Sequence, residues 1–124
     1  MLNPAQIGLD YKEYIGSGSD ISMTANANYD LGGTSGVLSL SEGIWLVEYK
    51  GMIYDANDDA KFNYVKDANN NTLSYIRQMT KQLSQPTTTI LKITEPTDIH
   101  LRVVSNTASK CGQSASYMKA LKLA

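Results

Sequence analysis

The chain has 124 residues, 42% of them hydrophobic and 19% charged, which suits one folded core and is too apolar for a disordered segment. Its formal net charge is −1 with Lys and Arg scattered, so no basic stripe can neutralise a phosphate backbone, and nucleic acid is not an expected partner. No apolar run is long enough to cross a bilayer, and residues 1–10 lack the basic and apolar blocks of a signal peptide, so the expected setting is the cytoplasm or a non-secretory route such as release within a virus particle.

Residues 1–20 are polar, with Gly16 and Gly18 near their end, and read as a lead-in or linker with a short edge strand at most. From residue 21 the dominant signal is period-two alternation, the pattern of half-buried strands. It runs weakly through 21–28 and 37–40, with the glycines 32, 33 and 36 between them forming an expected flexible hairpin. Over 44–54 it is strong. Trp45, Val47, Tyr49, Gly51 and Ile53 share an uncharged face, with Trp45 the expected core anchor. The opposite face holds Ile44, Leu46 and Met52 among polar residues, which is too apolar for plain solvent exposure.

A turn is expected at 55–59, a strand at 60–65, a turn at 67–71, a strand at 72–80, a turn at 84–86 and a β-branched strand at 87–94. In 97–104, Ile99, Leu101 and Val103 alternate with Asp98, His100 and Arg102, so a one-residue slip would bury three polar groups. Residues 114–124 fit a helix or a strand equally well. Some eight short strands at this spacing indicate a sandwich or barrel. The fold class is therefore all-β and antiparallel, with the division 1–20 lead-in and 21–124 sandwich.

Chemistry-bearing motifs are few. His100 is the only histidine; a general base needs a nucleophile and an orienting group, and a solvated strand histidine is the favoured reading. Cys111, the only cysteine, allows neither an intrachain disulfide nor a cysteine-based zinc site and is read as a small buried residue. Asp55, Asn57, Asp58 and Asp59 begin like a calcium loop, but Ala60 replaces the sharp-turn glycine and Lys66 the bidentate glutamate, so a solvated turn is favoured. The sequence therefore predicts no catalytic residue, no metal ligand and no cofactor.

Four segments together resemble a known family. Gly-Val-Leu-Ser-Leu-Ser-Glu-Gly-Ile-Trp-Leu-Val-Glu-Tyr at 36–49 resembles the opening of the long core strand in the C-terminal head domains of bacteriophage tail fibres. Residues 21–31 are similar to the preceding strand and turn, 99–105 to the penultimate strands, and Ala-Ser-Tyr-Met-Lys-Ala-Leu-Lys-Leu-Ala at 115–124 to the closing strand. Those heads resemble the trimeric jelly roll of tumour necrosis factor and the complement globular head. The resemblance implies a jelly-roll-like sandwich, a C-terminal strand, and a homotrimer that buries part of the Ile44, Leu46 and Met52 face. It further implies a non-enzymatic receptor-binding head at a virion's tail fibre tip, made in the bacterial cytoplasm. Its expected partners are a bacterial surface glycan or envelope protein and the rest of the fibre or virion. A structural trimerisation or decoration module is the alternative. For sugar recognition, which pairs flat aromatics with carboxylates and amides, the candidate residues are Tyr54, Asp55, Asn57, Asp58, Asp59 and Tyr64.

Overall fold

Alternation along the chain decides which strand faces are buried, and nine antiparallel strands account for most of residues 10–124, the part that the computed structural model describes. They are β1 (Tyr11–Ile15), β2 (Ile21–Met23), β3 (Tyr29–Asp30), β4 (Leu38–Leu40), β5 (Gly43–Asp67), β6 (Thr72–Leu83), β7 (Thr87–Ile93), β8 (Thr97–Ser105) and β9 (Ser109–Lys122). The 25-residue β5 organises them. Its first half lies between β7 and β9, with β1 outside β9; its second half lies between β6 and β8, with β3 and β4 beyond. The sheet therefore curls on itself into two faces around one core, a jelly-roll-like sandwich.

The core forms where the alternating apolar faces meet: Trp45, Val47, Tyr49, Ile99, Leu101 and Val103 are all fully buried. The Trp45 indole donates to the Ser41 carbonyl at 2.9 Å, and the Tyr49 hydroxyl meets the Ser74 hydroxyl at 2.7 Å, so both large rings have their polar atoms paired. Cys111 is buried among them, and burial pushes its thiol up to about 11, which keeps it neutral and unreactive.

The C-terminal segment is a strand. Good helix formers lose here to pairing on both sides, with β1 and with β5. Residues 11–15 form a five-residue strand on β9, and Tyr14 reaches the core; the part of the lead-in at 1–9 lies outside the described residues.

The glycine-rich stretch is not a flexible hairpin. Residues Gly33–Gly36 form one tight 3-10 turn, entered through Gly32 at φ 79°. A side chain on Gly36 would put its Cβ 2.0 Å from the Leu31 carbonyl oxygen. Close backbone approach at Gly32 and Gly36, and a positive φ at Gly32 and Gly33, explain the glycines better than mobility.

Three register shifts interrupt the ladders of β5, at Lys50/Met52, Tyr54/Asp59 and Val65/Lys66, and the first two are large bulges. Lys50 pairs with Tyr117 and Met52 with Gly112, so residues 113–116 of β9 loop away opposite Gly51. The orphaned Gly51 peptide is recovered by the buried Asn63 side chain. Its Oδ1 accepts from the Gly51 N–H at 2.8 Å and its Nδ2 donates to the Gly51 carbonyl at 2.9 Å. Only glycine fits there, because a Cβ would stand 2.3 Å from Val103 Cγ1. The second bulge forms the candidate site.

Candidate functional site

Residues 55–59 do not make a turn. Tyr54 pairs with Gln82 and Asp59 with Thr80, so residues 55–58 stand against Lys81 alone in a wide bulge within β5. The composition matches a turn because bulges, like turns, need residues that bond their own backbone. Here the Asp55 carboxylate accepts from the Asn57 N–H at 2.6 Å and from the Thr107 hydroxyl at 3.1 Å, and the Ser109 hydroxyl also bonds it.

The charge inside the bulge is Lys61. Its side chain is fully buried, and its ammonium donates to the carbonyls of Asn57 at 3.1 Å and Thr80 at 2.8 Å, with Asp55 Oδ1 3.4 Å away. Three donors meet three oxygens. The ammonium thus occupies the position that a hard cation would need. Asp55 is an internal ion-pair partner, and the described residues contain no cluster of three or more carboxylates, histidines or cysteines placed for metal. Burial opposes the charge on Asp55, but the Ser109, Asn57 and Thr107 hydrogen bonds and the Lys61 charge outweigh it and hold its carboxyl below the usual range.

The six candidate ligand residues divide between two places. Tyr54 and Asp55 line a groove of about 400 Å³ with Ser22, Met23, Ser109 and Lys110. The Tyr54 hydroxyl donates to Asp20, and this bond raises the phenol pKa. Asn57 and Asp58 are exposed on the bulge, and Asp59 is half-buried where the ladder resumes. Tyr64 belongs elsewhere: it pairs with Tyr75 and Arg102, on the outward side of the second half of β5, and does not join the acidic group.

The residues expected at a subunit interface also divide. Ile44 is 38% exposed, and Leu46 pairs with Ile90, which is 63% exposed, so these form an apolar row on the outward side of the first half of β5. Leu46 also lines a shallow groove of about 250 Å³ with Tyr11, Glu48, Thr88, Lys119 and Leu121. Met52 sits beyond the β9 bulge, against Gly112.

His100 is not a solvated strand histidine. Its side chain is 17% exposed, its Nε2 has no hydrogen-bond partner, and that nitrogen lies 3.4 Å from Asp30 Oδ1. The polar side of β8 is covered because Lys66 of β5 pairs beside His100 and Asp30 of β3 beside Arg102. Asp30 is engaged by Arg102 at 2.7 and 3.3 Å. Burial again opposes its charge, and the Arg102 hydrogen bonds hold its carboxyl below the usual range.

Pattern reading missed two features. Lys61 reads as a solvated lysine beside three aspartates. The other is a row of stacked rings on the second half of β5: Phe62 and Tyr64 lie 5.6 Å apart at 6°, and Tyr64 and Tyr75 lie 6.1 Å apart at 28°. The period-two spacing of Phe62 with Tyr64, and of Tyr75 with Arg77, carried that signal.

No protein-family profile and no curated protein matches the sequence. Among solved structures, the chain is similar to the Eiger tumour necrosis factor of S. frugiperda, with a TM-score of 0.64 at 14% identity. The match covers 94% of this chain and 93% of that one. At this identity the likeness shows the fold, a tumour-necrosis-factor-like jelly roll.

Proposed function

We propose that this chain is a trimeric, non-enzymatic binding head of a phage or prophage tail fibre, which attaches to a component of the bacterial envelope such as a glycan. The observation that carries the reading is the apolar row of exposed Ile44 and Ile90 with half-buried Leu46 on a jelly roll of the tumour necrosis factor type. A row of that kind on a soluble surface calls for a partner, and a second and third copy related by a rotation axis would cover it symmetrically. The sequence likeness of 36–49 and 115–124 to tail-fibre heads supplies the virion context.

Binding then falls to the exposed elements, since the core is filled by packed side chains. Tyr54 lines a groove at the start of the bulge, and Asn57 and Asp58, further along it, are exposed to solvent. Three copies on one rigid head would raise a weak single-site affinity through effective concentration.

The second reading, a structural module that caps or decorates a particle, is favoured by one observation. Asp55 is bound internally to Lys61, and Tyr54 to Asp20, so part of the candidate site already serves the fold.

Labelled protein incubated with a panel of bacterial cells and envelope glycans separates the two. The binding-head reading expects retention on some cells and at least a tenfold loss in a Tyr54→Ala, Asp58→Ala double variant of unchanged mass. Retention by neither protein supports the structural module, and equal retention by both places binding away from the bulge.

A further inference from the structure

The outward side of the second half of β5 carries chemistry that none of the preceding roles uses. Lys61, Asn63 and Val65 point into the core, so Phe62, Tyr64 and Lys66 point out. On neighbouring β6 the register sets Arg77 opposite Phe62 and Tyr75 opposite Tyr64, with Met79 further along. Tyr75 is 61% exposed and Met79 58%. The Lys66 ammonium lies 5.0 Å from the Tyr64 ring centroid, and the Arg77 guanidinium 5.9 Å from that of Phe62.

Charge is one-sided here. β6 contains Arg77 and Lys81 and no carboxylate, and the outward positions of β5 from 60 to 66 add Lys66 and no acid. Asp59 and Asp67 flank these positions on β5, and Asp30, beyond β8, is engaged by Arg102. Among the described residues, Arg77 and Lys66 thus lie over the aromatic rings of this face without an ion pair of their own.

The ring geometry narrows the ligand. Phe62 and Tyr64 stack on one another and the two cations lie over the same rings, so the free ring face is the one at the end of the row. Tyr75, at the end of the row, is the most exposed of these rings. One flat apolar ring face beside fixed cations suits a pyranose whose C–H face rests on the phenol ring while its carboxylate takes charge-assisted hydrogen bonds from Arg77. A further residue of an extended polymer would reach Lys66 along the strand.

We infer that this face is a binding site for an acidic polysaccharide, with Tyr75 as the stacking platform and Arg77 and Lys66 as the carboxylate-binding groups. The site is separate from the β5 bulge and does not depend on the tail-fibre reading.

The probe is an oligomer of galacturonic acid, titrated calorimetrically into the intact protein at low salt. A neutral glucose oligomer and an oligo-dT of equal charge serve as comparisons. Binding of the acidic sugar alone is expected, weakening as salt is raised. Tyr75→Ala and Arg77→Gln should each lower the affinity at least tenfold, whereas Lys92→Gln, which removes one exposed charge from β7, should change it less than twofold. Because Tyr75 and Arg77 are exposed, both variants should keep the native circular dichroism spectrum. Three results overturn the proposal: no binding at millimolar sugar, equal binding of oligo-dT, or an affinity indifferent to both substitutions.

Discussion

Lys61→Met is expected to lower the unfolding free energy by about 3–5 kcal/mol at neutral pH, the range for removing one partner of a buried ion pair. The substitution nearly conserves volume, so the loss comes from electrostatics. It strands the Asp55 carboxylate and leaves the Asn57 and Thr80 carbonyls without their ammonium donor. Urea denaturation measures the loss directly. Adding Asp55→Asn to Lys61→Met should recover part of it, because the second change removes the stranded charge.

Acid should narrow the gap between wild type and variant. The folded-state pKa of Asp55 is held below its ordinary value, so its charge stabilises the fold above the usual carboxylate range, and that stability is lost as pH falls through the folded value. Below that point neither protein has a charged Asp55, and the wild type keeps only the part of its advantage that comes from the Asn57 and Thr80 carbonyls. A loss under about 1 kcal/mol at pH 7 would contradict the ion-pair account of the bulge.

Asn63→Leu ranks second. The side chain is fully buried, closes both hydrogen bonds of the Gly51 peptide where β9 bulges away, and also donates to the Phe62 carbonyl at 3.1 Å. Leucine has similar bulk and can make none of these bonds. Each buried backbone group left unpaired costs about 1–3 kcal/mol, so the expected loss is about 2–5 kcal/mol. The denaturant midpoint should fall with an unchanged slope, since the surface exposed on unfolding is the same. A variant within about 0.5 kcal/mol of wild type would mean that the peptide finds water instead.

The fold was legible wherever one strand face is apolar and the other is not. Trp45, Val47 and Tyr49, and Ile99, Leu101 and Val103, alternate so strongly that their burial together follows from period alone. Residues 114–124 were not legible that way. Alanine, leucine and lysine favour a helix locally, and only pairing with β1 and β5 selects the strand.

The candidate site was harder to read. The acidic run was visible, but composition cannot distinguish a turn from a bulge wrapped around an ammonium, because both use Asp and Asn to bond nearby backbone. Separating Tyr54 from Tyr64 required a bulge whose length sets the cross-strand register. The same holds for the aromatic row: Phe62 with Tyr64 and Tyr75 with Arg77 alternate visibly, yet their meeting depends on Tyr64 pairing with Tyr75.

The claim on which the binding-head account rests is that the apolar row of Ile44, Leu46 and Ile90 is covered by other copies of the chain. Sedimentation equilibrium at micromolar concentration tests it most directly, with Leu46→Lys run alongside. The account predicts a single species of three times the 13.6 kDa chain mass, and dissociation to folded monomer in the variant. A wild-type protein that sediments as a monomer would contradict it.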